Sequence, residues 1–295
     1  MPNGRGMTIA VTGGTGHLGC LVIDELLKTT QANNIIAAVR TPAKAIGLAD
    51  RGVQVREADY SRPETLAAAC DGASRLLLIS GTELGKREAQ HKAAIDAAKA
   101  AGVTFVAYTS LLHCDTSPLA LAEDHLATER YLVASGLNYS LLRNGWYFEN
   151  QTAAIPMALQ KGAFIGASGA GRIAAASRSD YAAAAAAVLT SEVCGNSVLE
   201  LGGDEPYTRA ELAAEVSEQT GEAVRYLNLS EAEYEKILSG FLPAVYAHVI
   251  ADAEAHAAQG WLDDDSHTLS RLLGRPTTSL EEAVQSALRT PPAAH

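Results

Sequence analysis

Short apolar runs alternate with longer stretches of helical periodicity through the first half of the chain. The runs at 8–12, 34–40, 53–56, 76–80, 104–110 and 139–143 read as strands. Between them, 18–30, 42–51, 63–70, 86–101 and 119–135 read as helices. Leu18, Val22 and Leu26 mark the apolar face of the first helix, and Pro42 suits a first helical turn. Gly102 and Gly136 close two of the later helices. The strands are continuous apolar runs, the pattern of a sheet covered by helices on both faces. Such a strand–helix–strand series predicts an α/β fold, a Rossmann-type doubly wound parallel sheet.

After Arg143 the rhythm changes. An Ala-rich helix at 181–189 and a short strand at 198–201 are placed as late additions to the main sheet. Three helix starts then carry capping-box spacing: Thr208 with Glu211, Ser230 with Glu233, and Ser279 with Glu282. The expected organisation is a dinucleotide-binding domain over 7–202 and a smaller, mostly helical C-terminal lobe over 203–290. The ends, 1–6 and 291–295, are expected to be flexible.

Composition narrows the function. With 47% hydrophobic and 19% charged residues, the 295-residue chain can bury a core, which excludes a disordered chain. A net charge of -11 and the lack of a Lys/Arg run disfavour nucleic acid. No apolar run reaches the roughly 18 residues a membrane helix needs. The N-terminus has no apolar signal core. Cys20, Cys70, Cys114 and Cys194 form no CxxC pair. They read as reduced thiols of a cytoplasmic protein, with no metal site. Nothing marks an oligomer interface.

The first strand runs into Gly13-Gly14-Thr15-Gly16-His17-Leu18-Gly19, and a helix follows at once. Gly14, Gly16 and Gly19 match GxGxxG, and Gly13, Gly16 and Gly19 match GxxGxxG. At the first strand-to-helix turn of a parallel series, this pattern predicts a pyrophosphate on the helix N-terminus. NAD sites place Asp or Glu at the end of the second strand to hold the ribose 2′-hydroxyl. Here that strand ends in Arg40, with Lys44 one turn further on. A guanidinium pairs with a 2′-phosphate that a carboxylate would repel, so the expected cofactor is NADP(H). Asp59, just after the third strand, either bonds the adenine amino group or is an ordinary turn residue.

Ligands of such sheets bind outside the carboxyl ends of the strands. Ser80, Gly81, Thr82, Glu83 and Leu84 after strand four, and Thr109 and Ser110 at the end of strand five, are therefore expected on the nicotinamide side. The stretch 143–150 is expected to close over it. In that stretch Trp146, Tyr147 and Phe148 offer a flat slot for an aromatic acceptor, followed by Glu149 and Asn150.

The glycine turn, Arg40-Thr41-Pro42 and Ala58-Asp59-Tyr60 resemble the NmrA-like branch of the atypical short-chain dehydrogenase/reductases. Residues 107–113, 115–119, 142–147 and 276–278 are similar to the bacterial type 2 NAD(P)H:quinone oxidoreductases. The resemblance runs from about residue 7 to about residue 288. It implies NADPH-dependent reduction of a small quinone-like acceptor. It carries the family's cofactor positions onto Gly13 to Leu18, Arg40, Thr82 to Leu84 and Trp146 to Asn150.

Many members of the wider superfamily use a Tyr and, four residues on, a Lys as proton donor and helper. On the corresponding helix this chain has His125 and Glu129, so alcohol dehydrogenase or sugar epimerase chemistry is not expected. With an unperturbed pKa near 6.5, His125 is the expected proton donor. Tyr147, Tyr108 and His113 are candidates for orienting the acceptor. Two other readings stand beside this one: an NADP(H)-binding redox sensor of the NmrA type without turnover, and a reductase of another conjugated substrate such as a triphenylmethane dye.

Overall fold

The computed structural model describes residues 7–193 and 195–289; the ends expected to be flexible, and Cys194, lie outside the described residues. The first half alternates as the sequence pattern predicts: β1 (Ile9–Thr12), α1 (His17–Leu26), β2 (Ile35–Val39), α2 (Ile46–Ala49), β3 (Gln54–Glu57), α3 (Pro63–Cys70), β4 (Arg75–Leu78), α4 (Arg87–Ala100), β5 (Phe105–Leu111), α5 (Ala122–Ala134) and β6 (Asn138–Asn144). There follow α6 (Phe148–Thr152), α7 (Ile155–Lys161), β7 (Ala163–Gly166), α8 (Arg178–Thr190), β8 (Ser197–Leu201), α9 (Arg209–Thr220), β9 (Arg225–Asn228), α10 (Glu231–Leu238), α11 (Ala244–Ala257), α12 (Thr268–Leu273) and α13 (Leu280–Arg289).

Seven strands form the main sheet in the order β3-β2-β1-β4-β5-β6-β8. β1 pairs in parallel with β2 and β4, β2 with β3, and β4 with β5. The strands β1, β2 and β5 are buried along their whole length, as continuous apolar runs covered on both faces should be. One core cluster joins Ile36, Leu76, Leu78, Ile95, Val106, Tyr108 and Leu132. The parallel register puts the carboxyl ends of β1, β2, β4 and β5 along one edge of the sheet.

Two compact units divide the chain. The first holds the described residues up to Leu111 with Asp124–Arg143 and Tyr181–Leu199. The second holds Leu112–Glu123, Asn144–Asp180 and the described residues from Glu200 onward. A single boundary near residue 203 is thus replaced by an interleaved division. The reason is visible in the second unit's own pairings, which draw in segments from before β8. In the small sheet, β7 pairs in parallel with β9, and Ile173 bridges to Tyr207. The expected helix over 42–51 is a 3₁₀ turn, Pro42–Ala45, followed by the four-residue α2. Gly47 in its middle weakens a continuous helix.

All three expected capping boxes form, on α9, α10 and α13. Beneath α9 the second unit buries an ion pair. The Arg209 guanidinium donates through Nε (3.0 Å) and Nη2 to Glu254 Oε1, while Glu254 Oε2 has no hydrogen bond. Opposite charges out of water hold each other, and removing one strands the other. Arg209→Met should therefore lower the unfolding free energy by about 3–5 kcal/mol in urea titrations, and adding Glu254→Leu should restore most of it. Equal losses in the single and double variants would contradict this account.

Candidate cofactor site

The glycine turn is shaped by three different demands. Gly13 has φ +61°, a left-handed conformation that suits a residue without a Cβ. A Cβ on Gly19 would lie 2.2 Å from the carbonyl oxygen of Gly13, so only glycine lets α1 pack this closely on the turn. Gly14 is similarly tight against Ala37 of β2, at 3.1 Å. The turn closes through Gly16 N–H to the Gly13 carbonyl at 2.8 Å. The N-cap of α1 is Gly16, no side chain caps the helix, and no acidic residue occupies its first turn. Thr15, Gly16 and His17 are exposed, and Leu18 is buried as the helix's core contact. A bare, unblocked helix start offers free N–H groups and a positive dipole end, the donor set a pyrophosphate needs.

Arg40 is exposed immediately beyond β2, and its guanidinium makes no hydrogen bond or ion pair among the described residues. Lys44 is exposed in the next turn. Asp59 follows the turn reading: its Oδ1 accepts from Ser61 N–H at 2.9 Å and Oδ2 lies 3.5 Å from Arg62 Nε. The Ser61 hydrogen bond, aided by Arg62 and Arg40, keeps its carboxyl below the usual range, so it is ionised.

Between the turn and β4 lies a knot of hydroxyls. Thr12 Oγ1 donates to the Leu77 carbonyl (3.0 Å) and accepts from Ile79 N–H (2.8 Å). The Tyr60 hydroxyl bridges Thr12 Oγ1 (2.7 Å) and the Ile79 carbonyl (2.8 Å). Burial raises the Tyr60 pKa, so the phenol keeps its proton.

The segment after β4 is pinned from below. Ser80 N–H donates to Thr109 Oγ1 at 2.8 Å. Gly81 N–H donates to His91 Nε2 at 2.9 Å, and the Gly81 carbonyl accepts from Arg87 Nε at 2.8 Å. Because Nε2 accepts, the His91 proton is on Nδ1, which faces Thr128 Oγ1 at 2.9 Å; that hydroxyl donates to the Asp124 carbonyl at 3.0 Å. Thr82 is exposed, and Glu83 and Leu84 are partly so. His91 and Arg87, one helical turn apart on α4 and both buried, are not singled out by the sequence pattern. The signal that would have found them is their i, i+4 spacing directly after a loop already assigned to the ligand side.

Ser110 donates its hydroxyl to Glu129 Oε1 at 2.5 Å. Glu129 is itself gripped by Arg143, Nε to Oε1 at 3.0 Å and Nη2 to Oε2 at 2.8 Å. Glu129 on α5 is thus held in a buried ion pair by Arg143 of β6, and it accepts from the Ser110 hydroxyl. His125 is buried with Nδ1 2.8 Å from the Tyr108 hydroxyl. Burial first, then Arg87 and His91, pushes its pKa well below 6.5. This corrects the expectation of a histidine that titrates near neutrality: His125 is a neutral core residue, because the imidazolium would be desolvated beside another cation. Tyr108 is core as well, fully buried on β5.

Gly13 to Gly19, Arg40, Lys44, Asp59, Ser80 to Leu84, Thr109, Ser110 and His125 all belong to the first unit, whereas Trp146 to Asn150 belong to the second. There the expected three-ring slot is also corrected. Phe148 is buried and stacks on Tyr207 with ring centroids 5.4 Å apart, so its ring packs the interior. It also opens α6 and is not part of a loop. Glu149 accepts from Arg178 N–H at 2.9 Å, and Asn150 Oδ1 accepts from Arg178 Nη2 at 2.5 Å. Trp146 and Tyr147 are partly exposed. Arg178 lies over the Tyr147 ring at 4.9 Å, and burial raises the Tyr147 pKa against a hydrogen bond from Asn144. His113 has φ +55°, and its Nε2 faces the Asp263 carbonyl at 2.8 Å.

A glycine turn with an uncapped helix start, beside an unpaired guanidinium at the end of β2, defines a dinucleotide-binding protein. The chain belongs to the NAD(P)H-binding family, whose model matches residues 13–192. More narrowly, it belongs with quinone oxidoreductase 2 of Escherichia coli (strain K12), to which it is 53% identical over 277 residues, 94% of this chain and 97% of that one. The crystal structure of the NADPH-dependent quinone oxidoreductase of Escherichia coli complexed with NADPH matches at a TM-score of 0.93 and 52% identity, covering 96% of this chain and 100% of that one. Citrobacter sp. triphenylmethane reductase complexed with NADP(H) matches at 0.91 and 37% identity, covering 95% and 100%.

His91, pushed down to about 3 by burial and then by Arg87, behaves as His125 does. Tyr60, Tyr108, Thr128 and Asp124 complete its surroundings. Both imidazoles are neutral when folded, while the unfolded chain protonates them below about pH 6.5. The unfolded state then binds more protons, so stability falls as pH drops below about 6.5, by up to about 1.4 kcal/mol per pH unit per histidine. Urea midpoints compared at about pH 7 and about pH 5 should show this fall, and His91→Gln should reduce it. An equal fall in that variant would contradict the assignment.

Proposed function

We propose that the chain is an NADPH:quinone oxidoreductase, reducing a small quinone or a similarly conjugated acceptor. The observation that carries the cofactor half is the unengaged Arg40 guanidinium at the end of β2, where an NADH site would hold a carboxylate. Arg40, with Lys44 beside it, grips the 2′-phosphate. The N–H groups at the start of α1 hold the pyrophosphate. Ser80 to Leu84, Thr109 and Ser110 line the nicotinamide side of the first unit. Trp146 and Tyr147, the latter protonated at neutral pH, are kept as candidates for orienting the acceptor.

Bound NADPH would supply the hydride; the acceptor gains that hydride and one proton and leaves as the quinol. Neither Ser110 nor His125 is suited to giving that proton. Ser110 is committed to Glu129, and His125 is neutral and buried. Quinol oxygens are acidic compared with alcohols, so water completes the protonation, and the protein's work is placing the two partners. A cytoplasmic location belongs to the same proposal; among the described residues no helix is long and apolar enough to cross a membrane. The match to triphenylmethane reductase favours a second reading, a flat dye as acceptor.

Steady-state NADPH oxidation with a benzoquinone should give turnover. Failure across several quinones with NADPH binding intact would favour a sensor, and turnover of dyes alone would favour the second reading. Arg40→Ala should weaken NADPH about ten- to a hundredfold in calorimetric titrations, the worth of a charged hydrogen bond, and NADH far less. Equal loss for both would overturn the Arg40 assignment.

A further inference from the structure

We propose that His91 is a positioning residue for the nicotinamide half of the cofactor, acting through Gly81. The inference rests on the assignment of Ser80 to Leu84 to the nicotinamide side. Gly81 lies outside any strand or helix, and both of its backbone polar groups are held by side chains of α4. Below it, Gln90, His91 and Tyr60 leave little room; a Cβ on Gly81 would meet Gln90 Oε1 at 3.3 Å. Ser80 is held by Thr109 in the same way. The segment's path is therefore set by buried side chains and not by a sheet ladder, and His91 is the acceptor for the one N–H that faces inward from Gly81.

That grip depends on which imidazole nitrogen carries the proton. Nε2 must be bare to accept from Gly81, so the hydrogen must be on Nδ1, where Thr128 Oγ1 accepts it and passes its own hydrogen to the Asp124 carbonyl. The Gly81 N–H, partly shielded from water, left without its acceptor must find another partner, which drives the segment to another path. A displaced nicotinamide-side segment weakens only those ligands that reach it. The adenosine half of the cofactor meets the glycine turn and Arg40, and should not sense the change.

Calorimetry with two probes separates these cases: NADPH, and 2′,5′-ADP, which carries the adenosine half and the 2′-phosphate alone. In His91→Phe, the NADPH dissociation constant should rise about tenfold, one hydrogen bond's worth, with 2′,5′-ADP unchanged. His91→Gln, which can both accept and donate, should recover most of the loss. Thr128→Val, nearly the same size and shape, leaves Nδ1–H unpaired and should shift NADPH in the same direction without replacing the imidazole. This variant keeps the test decisive if His91→Phe does not fold. Equal weakening of both probes would reduce His91 to a general structural role and overturn the proposal, as would NADPH binding unchanged in His91→Phe, or in Thr128→Val if His91→Phe does not fold. If wild-type protein binds 2′,5′-ADP and NADPH equally well, the nicotinamide-side assignment itself falls, and the proposal with it.

Discussion

The contact on which the rest depends is the approach of α1 to the turn that precedes it. A side chain at Gly19 would fall on the Gly13 carbonyl, so the helix start is held against the turn by the absence of one carbon atom. With that spacing fixed, the first N–H groups of α1 point outward, uncapped, at the carboxyl edge of the sheet. The hydroxyls of Thr12 and Tyr60 tie the same turn to the end of β4. Glycine geometry, helix dipole and sheet edge thus converge on one anion-binding corner. Under the proposed reading, Arg40 would add the charge that distinguishes a phosphate from a hydroxyl.

Beneath that corner the protein spends buried polar groups on rigidity. Ser110 is tied to Glu129 and Arg143, and Gly81 to His91 and Arg87. Each network is in the low-dielectric interior, where a satisfied hydrogen bond is strong and an orphaned one is costly. The same burial keeps both histidines neutral. His91 and Arg87 hold the Gly81 backbone, and Glu129 and Arg143 hold the Ser110 hydroxyl. That suits a reaction in which hydride and acceptor must be placed and water can supply the proton.

The main sheet and the glycine turn were legible because their signals are redundant. Continuous apolar runs, helical spacing and a glycine pattern at the first strand-to-helix turn all point to one topology. The capping boxes were legible because each is a pair of residue types three positions apart. The small β7/β9 sheet was not, since two four-residue strands some sixty positions apart leave no periodic trace. Nor was the interleaving of the two units, which depends on long-range pairing. At the site, Arg40 could be read locally because its neighbourhood is its own strand end. His125 could not, because its protonation is set by Arg87 and His91 from α4. Phe148 read as a ligand-facing aromatic because the sequence does not reveal Tyr207 beneath it.

The central claim is that the coenzyme's pyrophosphate rests on the start of α1 while its 2′-phosphate is held by Arg40. Phosphorus NMR of NADPH titrated with the protein observes both groups at once. The account predicts that the pyrophosphate resonances shift on binding. It also predicts that the 2′-phosphate stays dianionic well below its ordinary pKa of about 6, because the guanidinium stabilises the doubly charged form. A 2′-phosphate that titrates in the complex as it does in free coenzyme, or pyrophosphate signals that do not move, would contradict it.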